Sequence, residues 1–195
     1  ILIGTQMLTK GLDFDNVSLV GIINADSLLN FPDFRSYERS YQLMSQVAGR
    51  SGRKNKQGKV LIQTYSANHK IIHAVKDNDY ISMFNSELLE RQAFNYPPYC
   101  KLLLIIVSHR DYNLTNQAAS ELALVLRRSF SQNVLGPEYP PISRIKNQYL
   151  KNILVKIGSD LSLNQSKKYI LKVIDSVHKM PKYKSVRFTI DVDPQ

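Results

Sequence analysis

The 195 residues carry a formal charge of +10 with 43% hydrophobic residues, a balance that reads as a folded, soluble chain of one large or two small domains. The longest apolar run, residues 102–107, is strand-sized and far short of the roughly 20 residues that span a bilayer, so no membrane association is expected. A single cysteine, Cys100, excludes an internal disulfide framework and a cysteine-based zinc site within the sequence, and suits a reduced cytoplasmic setting.

In chain order, the opening ILIGTQ has no charged leader or cleavage site and reads as a strand from inside a longer protein. The sequence is therefore expected to be a fragment. Residues 1–3 and 17–23 read as buried parallel strands, being nearly continuous in β-branched residues and Leu. Residues 36–48 read as a helix, with Tyr37, Tyr41, Met44 and Val47 at a helical period. Residues 60–64 read as a strand. Residues 69–94 read as one or two helices with Ile72, Val75, Phe84, Leu88 and Leu89 turned inward. Strands alternating with helices predict an α/β unit with a parallel sheet, incomplete on its N-terminal side.

The tetrapeptide YPPY at 96–99 removes two consecutive backbone donors and forces an extended path, so it marks the expected boundary between domains 1–96 and 97–195. Beyond it come a strand at 101–108, a helix at 114–130, a strand at 134–138, a basic stretch at 144–151, a strand at 152–157, a helix at 163–177 and an alternating strand at 185–192. This βαββαβ order predicts a small α+β domain of ferredoxin-like kind. Charge follows the same division. Residues 1–96 hold 11 Lys and Arg against 9 Asp and Glu, whereas residues 97–195 hold 15 against 7. The second half, at +8 net, is the electrostatic footprint that nucleic acid most often answers, although basic halves also serve solubility alone. Its cations gather at Arg127 and Arg128, at Arg144, Lys146 and Lys151, at Lys167 and Lys168, and at Lys179, Lys182, Lys184 and Arg187. The loop SRIKNQYLK sets Tyr149 among cations, and PKYKSVRF offers Tyr183 and Phe188. Backbone-following cations with aromatics that stack on bases are the equipment of single-strand binding. Against this, Phe188 alternates with Ile190 as a core residue would, and the lysine pair suits a solvated helix face.

The stretch QVAGRSGR at 46–53 sets two arginines three apart, each directly behind a glycine. On a helix, Gln42, Gln46 and Arg50 share one face, with Arg53 beside it, while Leu43 and Val47 lie toward the sheet. Gly49 and Gly52 permit close approach to the backbone. Two guanidinium forks suit phosphate oxygens and can follow charge onto a transferring group. The plain alternative is a basic helix end, its arginines solvated or paired with carboxylates such as Glu38. Upstream, GTQMLTKGLDF at 4–14 crowds Thr5, Gln6, Thr9 and Lys10 into a polar loop, with Gly11 at its turn and Asp13 before the next strand. Such a loop at the carboxyl end of a parallel strand is where α/β sheets place ligands.

Taken together, these two stretches resemble motifs V and VI of superfamily 2 helicases, in order and spacing. The continuous run from GTQMLTKGLDF through FPDFRSYER to QVAGRSGR and GKVLIQT, with YPPY and the closing DVDP, is similar to the primosomal replication-restart helicases, the PriA family. The resemblance covers essentially the whole sequence from motif V onward. It implies a RecA-like second helicase lobe and a C-terminal domain that helps bind DNA at forks. It implies Arg50 and Arg53 as the arginines that reach the ATP phosphates, Arg53 as the arginine finger. Gln46 and Gly49 would lie on the nucleotide side, Asp13 would face the nucleotide or orient an arginine, and Thr5 and Lys10 would couple nucleotide state to the DNA backbone. Arg144, Lys146 and Lys151 are the candidate DNA contacts in the second half. One departure is Asp15, where many relatives would have proline, past the contact loop.

No G-x-x-x-x-G-K-[ST] loop, DExH box or cysteine pair occurs in the sequence. The resemblance therefore implies ATP and magnesium bound jointly with a lobe outside this segment, and zinc held only upstream of it. The segment alone is expected to be catalytically silent. Expected partners are single-stranded and forked DNA, primosome proteins and the single-stranded-DNA-binding protein. Two other readings stay open: a free-standing nucleic-acid-binding module without a motor, and another superfamily 2 translocase. His69 and His73 are four apart as in helix-borne zinc pairs, yet no third ligand accompanies them, and a structural role is expected. Tyr139, Pro140 and Pro141 read as a rigid turn.

Overall fold

The computed structural model describes residues 3–4, 17–51 and 58–194. Thr5, Lys10, Asp13 and Arg53, and the expected strand at 1–3 apart from Ile3, lie outside the described residues. The chain divides into two compact units, residues 1–93 and 94–195, and YPPY falls just inside the second.

In the first unit, β1 (Leu19–Ile22) and β2 (Lys59–Ile62) pair in parallel, Leu19 opposite Lys59 and Ile22 opposite Ile62. They are shorter than the sequence runs, and their alternate residues Leu19, Gly21, Lys59 and Leu61 are exposed. The expectation of strands buried on both faces does not hold for the described residues. A single turn, α1 (Asp26–Leu29), follows β1. Helix α2 (Ser36–Ala48) matches its predicted span and buries Tyr41 and Met44, with Tyr37 packed at the margin. The predicted 69–94 helix is two helices, α3 (Lys70–Asp77) and α4 (Tyr80–Ala93). Asn78 breaks it with φ 54°, a left-handed cap at which the N–H of Asp79 reaches the Ala74 carbonyl, and Asp79 Oδ1 then accepts the Ser82 N–H.

Ile72 and Val75 of α3 are buried as expected, together with Ile71 and Ala74. The inward face of α4 is not the expected one. Phe84 and Leu89 are 42% and 68% exposed and Leu88 is half-buried, while Met83 and Glu87 face inward. Apolar residues surround most of this helix, so periodicity cannot choose a face. Inward-facing Glu87 lies 3.5 Å from the Lys70 ammonium.

The second unit is an antiparallel sheet in the order β4-β6-β3-β7, built from β3 (Cys100–His109), β4 (Val134–Glu138), β6 (Gln148–Gly158) and β7 (Arg187–Val192). Helices α5 (Tyr112–Phe130) and α6 (Leu163–His178) share one core with it. Leu103, Ile105 and Val107 of central β3 meet Leu122, Leu126, Ile170 and Val173, and Phe188 and Ile190 of β7 pack at its edge. Asp111 caps α5 by accepting the Leu114 N–H at 2.8 Å. The register between β4 and β6 slips between Leu135 and Glu138, where Gly136 has φ +86° and a Cβ would sit 2.6 Å from the Asn152 carbonyl. That position requires glycine.

The basic stretch at 144–151, expected as a loop, is instead a β-hairpin. A short β5 (Arg144–Ile145) pairs with the start of β6, Arg144 opposite Tyr149 and Ile145 opposite Gln148. Lys146 and Asn147 form its two-residue turn with φ 46° and 63°, the conformation a tight hairpin needs.

Candidate functional site

The first candidate surface lies along α2. Asp33 fixes the helix entrance: its carboxylate accepts the Arg35 N–H at 2.8 Å and pairs with Arg39 at 2.8 Å. Four and eight residues into the helix the chain sets Ser40 and Met44 inward, so Gln42 and Gln46 fall on the open side. Both line a groove of about 520 Å³ with Ser27, Leu28, Phe31 and Arg39. The helix continues past Ala48 through a tight turn, the Arg50 N–H bonding the Val47 carbonyl at 3.0 Å, which keeps Arg50 one turn beyond Gln46. Gly49 has φ −64°, ordinary helical backbone, and a Cβ there would stand 3.4 Å from the Ser45 carbonyl. The chain itself therefore makes no demand for glycine at 49.

A polar network backs this face. Gln42 donates to Glu38 Oε1 at 3.2 Å, and the other Glu38 oxygen pairs with Arg91 of α4 at 2.6 Å. The Arg91 guanidinium lies 5.3 Å from the Phe34 ring centroid, and that of Arg35 lies 4.8 Å from it. FPDFRSYER thus serves as the brace that joins α2 to α4. Lys70 bonds Ser86 at 3.1 Å and also pairs with Glu90, with its ammonium 4.9 Å from the Tyr37 centroid. Burial pushes the Glu87 carboxyl above the usual range against the pull of Lys70. At the carboxyl end of β1, Asp26 accepts from the Tyr65 N–H and the Thr64 hydroxyl, both at 2.9 Å. The Tyr65 bond, then that of Thr64, holds its carboxyl below the ordinary value. His69 caps α3, its Nδ1 accepting the Ile71 N–H at 3.2 Å, and its ring packs edge-on against Tyr37. Burial first and Lys70 second lower its pKa. Among the described residues no group of three or more His, Cys, Asp or Glu is placed to hold a metal ion.

The second candidate surface is the corner of the other unit formed by the 144–151 hairpin, the segment after β4 and the first turn of α5. Arg144 and Lys151, both predicted from sequence, meet here over tyrosines. The Lys151 ammonium lies 3.6 Å from the Tyr139 centroid and the Arg144 guanidinium 5.0 Å from that of Tyr149. Tyr112 stacks beside Tyr139 at 6.0 Å and 14°, and meets Tyr149 edge-on at 5.5 Å. The Tyr139 hydroxyl donates to Asn116 Oδ1 at 2.9 Å, and Arg144 donates to Asn147. Lys146 stands exposed at the hairpin tip. Sequence reasoning missed Tyr112 and Tyr139. The usable signal was the Tyr-Pro-Pro turn, which aims an aromatic across the strand that begins at Gln148. Other basic groups are engaged within the unit. Arg127 bonds the Gly136 carbonyl, Lys179 pairs with Asp175, and Lys182 lies over Tyr183. Among the described residues no helix is long and apolar enough to cross a membrane.

Residues 92–195 match the family model described as "Primosomal protein N C-terminal domain". Along its whole length the chain is 39% identical to the replication restart protein PriA of Bacillus subtilis, 42% to that of Synechocystis and 36% to that of Haemophilus influenzae. It covers 24%, 23% and 26% of those proteins, so it spans about a quarter of the length of the curated relatives it matches. These matches show that the chain belongs to the PriA family of replication restart proteins and corresponds to their C-terminal part.

Proposed function

We propose that the chain is the C-terminal portion of an ATP-dependent DNA helicase, moving 3′ to 5′, that recognises stalled or branched replication forks and restarts replication by primosome assembly. In this reading residues 1–96 belong to a RecA-like second motor lobe. Residues 97–195 form a ferredoxin-like DNA-binding domain, for which the β4-β6-β3-β7 order is the support. The observation that carries the motor reading is the α2 face. There two amide side chains open onto a groove that Arg39 also lines, with Arg50 one turn on, in a chain whose relatives are named replication restart proteins.

Amide and guanidinium donors at the rim of this groove, Gln42, Gln46 and Arg39, fit a nucleotide's phosphates. Gln46 and Arg50 would hold ATP, with Gly49 and Asp13 beside them and Arg53 as the arginine finger. Hydrolysis of the nucleotide supplies the driving force. Magnesium would be held by residues of the other lobe, and zinc by cysteine pairs outside this sequence. Thr5 and Lys10 would touch the DNA backbone. In the second unit Arg144, Lys146 and Lys151 would neutralise phosphates. DNA, primosome proteins and the single-stranded-DNA-binding protein are the partners of this reading, and the cytoplasm is its setting.

The DNA-binding part is tested by fluorescence anisotropy of the chain on a forked oligonucleotide across a salt series. Each phosphate neutralised on a single strand contributes about −0.7 to the log–log slope, so three cations predict roughly −2. Replacing Arg144, Lys146 and Lys151 together with alanine should flatten the slope toward zero. An unchanged slope would remove these residues from the interface.

A further inference from the structure

We propose that Tyr112, Tyr139 and Tyr149 form a stacking platform for unpaired nucleobases, and that Lys151 and Arg144 take the phosphates on either side of them. This inference rests on the reading of the second unit as DNA-binding and adds the part of the ligand it recognises: bases without partners, rather than backbone charge alone.

Three aromatic rings converge from three separate elements, the first turn of α5, the segment after β4 and the start of β6. A protein interior gathers rings in this way to bury them. These rings are not buried, since Tyr112 is 49% exposed and Tyr139 40%. The corner is also held in shape. The Tyr139 hydroxyl is tied to Asn116, Tyr149 is fixed in the β5–β6 ladder opposite Arg144, and the turn between them is a two-residue hairpin. Tyr112 and Tyr139 thus stand exposed, with Tyr149 half-buried beside them, in a preset arrangement, which lowers the entropy cost of receiving a flat ligand.

The cations complete the argument. Lys151 lies 3.6 Å from one tyrosine centroid and Arg144 5.0 Å from another, and Lys146 is exposed one residue beyond β5. A cation resting on an exposed ring is held only weakly. It can swing from the ring to a phosphate when a base takes its place on the ring. Two acidic residues lie close in sequence. Asp111 is committed to capping α5, and Glu138 is exposed at the end of β4. Stacked bases with flanking phosphates are the recognition mode of sequence-tolerant single-strand binding. A paired base keeps its faces inside the duplex, so the platform selects the unpaired segment of a DNA junction.

The test compares two labelled 12-nucleotide strands of equal length and charge, one bearing bases and one abasic, on the 195-residue chain by fluorescence anisotropy. The platform predicts that the base-bearing strand binds about five- to a hundredfold more tightly. It further predicts that Tyr112→Leu combined with Tyr139→Leu removes this preference while leaving abasic binding within about twofold, and that Tyr139→Phe retains it. The comparison on the unaltered chain needs no variant to fold. Equal binding of the two strands, or a preference that survives the double substitution, would overturn the platform and leave the cations as a phosphate surface. Binding of neither strand would overturn the DNA-binding reading and the platform with it. Polyglutamate that displaces the base-bearing strand as readily, per charge, as the abasic strand does would make this corner a general polyanion or acidic-protein contact and overturn the proposal.

Discussion

Lys156 on β6 is a buried amine whose removal should be felt across the entrance to the second unit. It is only 7% exposed, its Nζ donates to the Phe94 carbonyl at 2.8 Å, and the ammonium lies 3.6 Å from the Tyr96 ring centroid. The side chain thereby clasps the segment that leads through YPPY into β3. A hydrogen bond to a charged group contributes about 1.5–3 kcal/mol and a desolvated cation–π contact up to about 2 kcal/mol. Burial works against both, since it pushes the Lys156 amine below its ordinary pKa. Lys156→Ala therefore leaves a net loss of about 2 kcal/mol. For a unit of about 100 residues each kcal/mol moves Tm by about 4–8 °C, so the second unit should melt about 8–16 °C lower. Lys156→Met keeps the stem and drops the charge, and should cost about half as much. The assay is thermal unfolding of the chain followed by near-UV circular dichroism of its tyrosines. A methionine variant as stable as the parent or more so would show that desolvation outweighs the clasp, and would refute the reasoning.

Three further outcomes follow from the same geometry. Gly136→Ala places a Cβ against backbone 2.6 Å away at φ +86° and should cost at least about 2 kcal/mol in chemical denaturation, whereas an effect below about 0.5 kcal/mol would mean the β4 bulge relaxes freely. Glu87 has a raised folded pKa, so the native state holds its proton more tightly than the unfolded chain does. Stability from this group is fully present below the unfolded value of 4.5 and is lost as pH rises through the folded pKa. Glu87→Gln should flatten the stability–pH curve across that window, and a parallel curve would contradict the assignment. Arg91→Ala, which unseats Glu38 and so frees Gln42, should raise the KM for ATP of the intact protein severalfold with kcat nearly kept; an unchanged KM would separate the brace from the groove.

Much of this architecture was legible in the sequence, and the exceptions have physical causes. The parallel pairing of residues 19–22 with 59–62 was readable because β-branched runs alternate with a helical period, and α2 was readable because Tyr41 and Met44 keep that period without interruption. In the second unit, the strand at 101–108 and the helix at 114–130 stood out as two long apolar patterns, and the structure extends them to 100–109 and 112–130 with Asp111 capping the helix. The face of α4 was not legible, because its apolar residues encircle the helix and a carboxylate, Glu87, is among the residues turned inward. The 144–151 hairpin was hidden by its charge: Arg144, Lys146 and Lys151 among polar residues look like a loop until Lys146 and Asn147 are seen to turn the chain. Arg144 and Lys151 were found as single charges. The cluster they share with Tyr112 and Tyr139 depends on the sheet order, which joins residues from 12 to 37 apart in sequence.

The central claim is that this chain supplies one half of an ATP site, and the most direct measurement is DNA-stimulated ATP turnover by the intact protein carrying Arg53→Ala, beside the isolated 195-residue chain. An arginine finger acts in the transition state and is worth roughly 10³–10⁵ in rate. The account predicts that the variant binds ATP nearly as the parent does but loses at least about a thousandfold in turnover, and that the isolated chain stays at background with or without DNA. A variant that keeps more than about a tenth of the parent rate, or an isolated chain that turns over ATP, would contradict it.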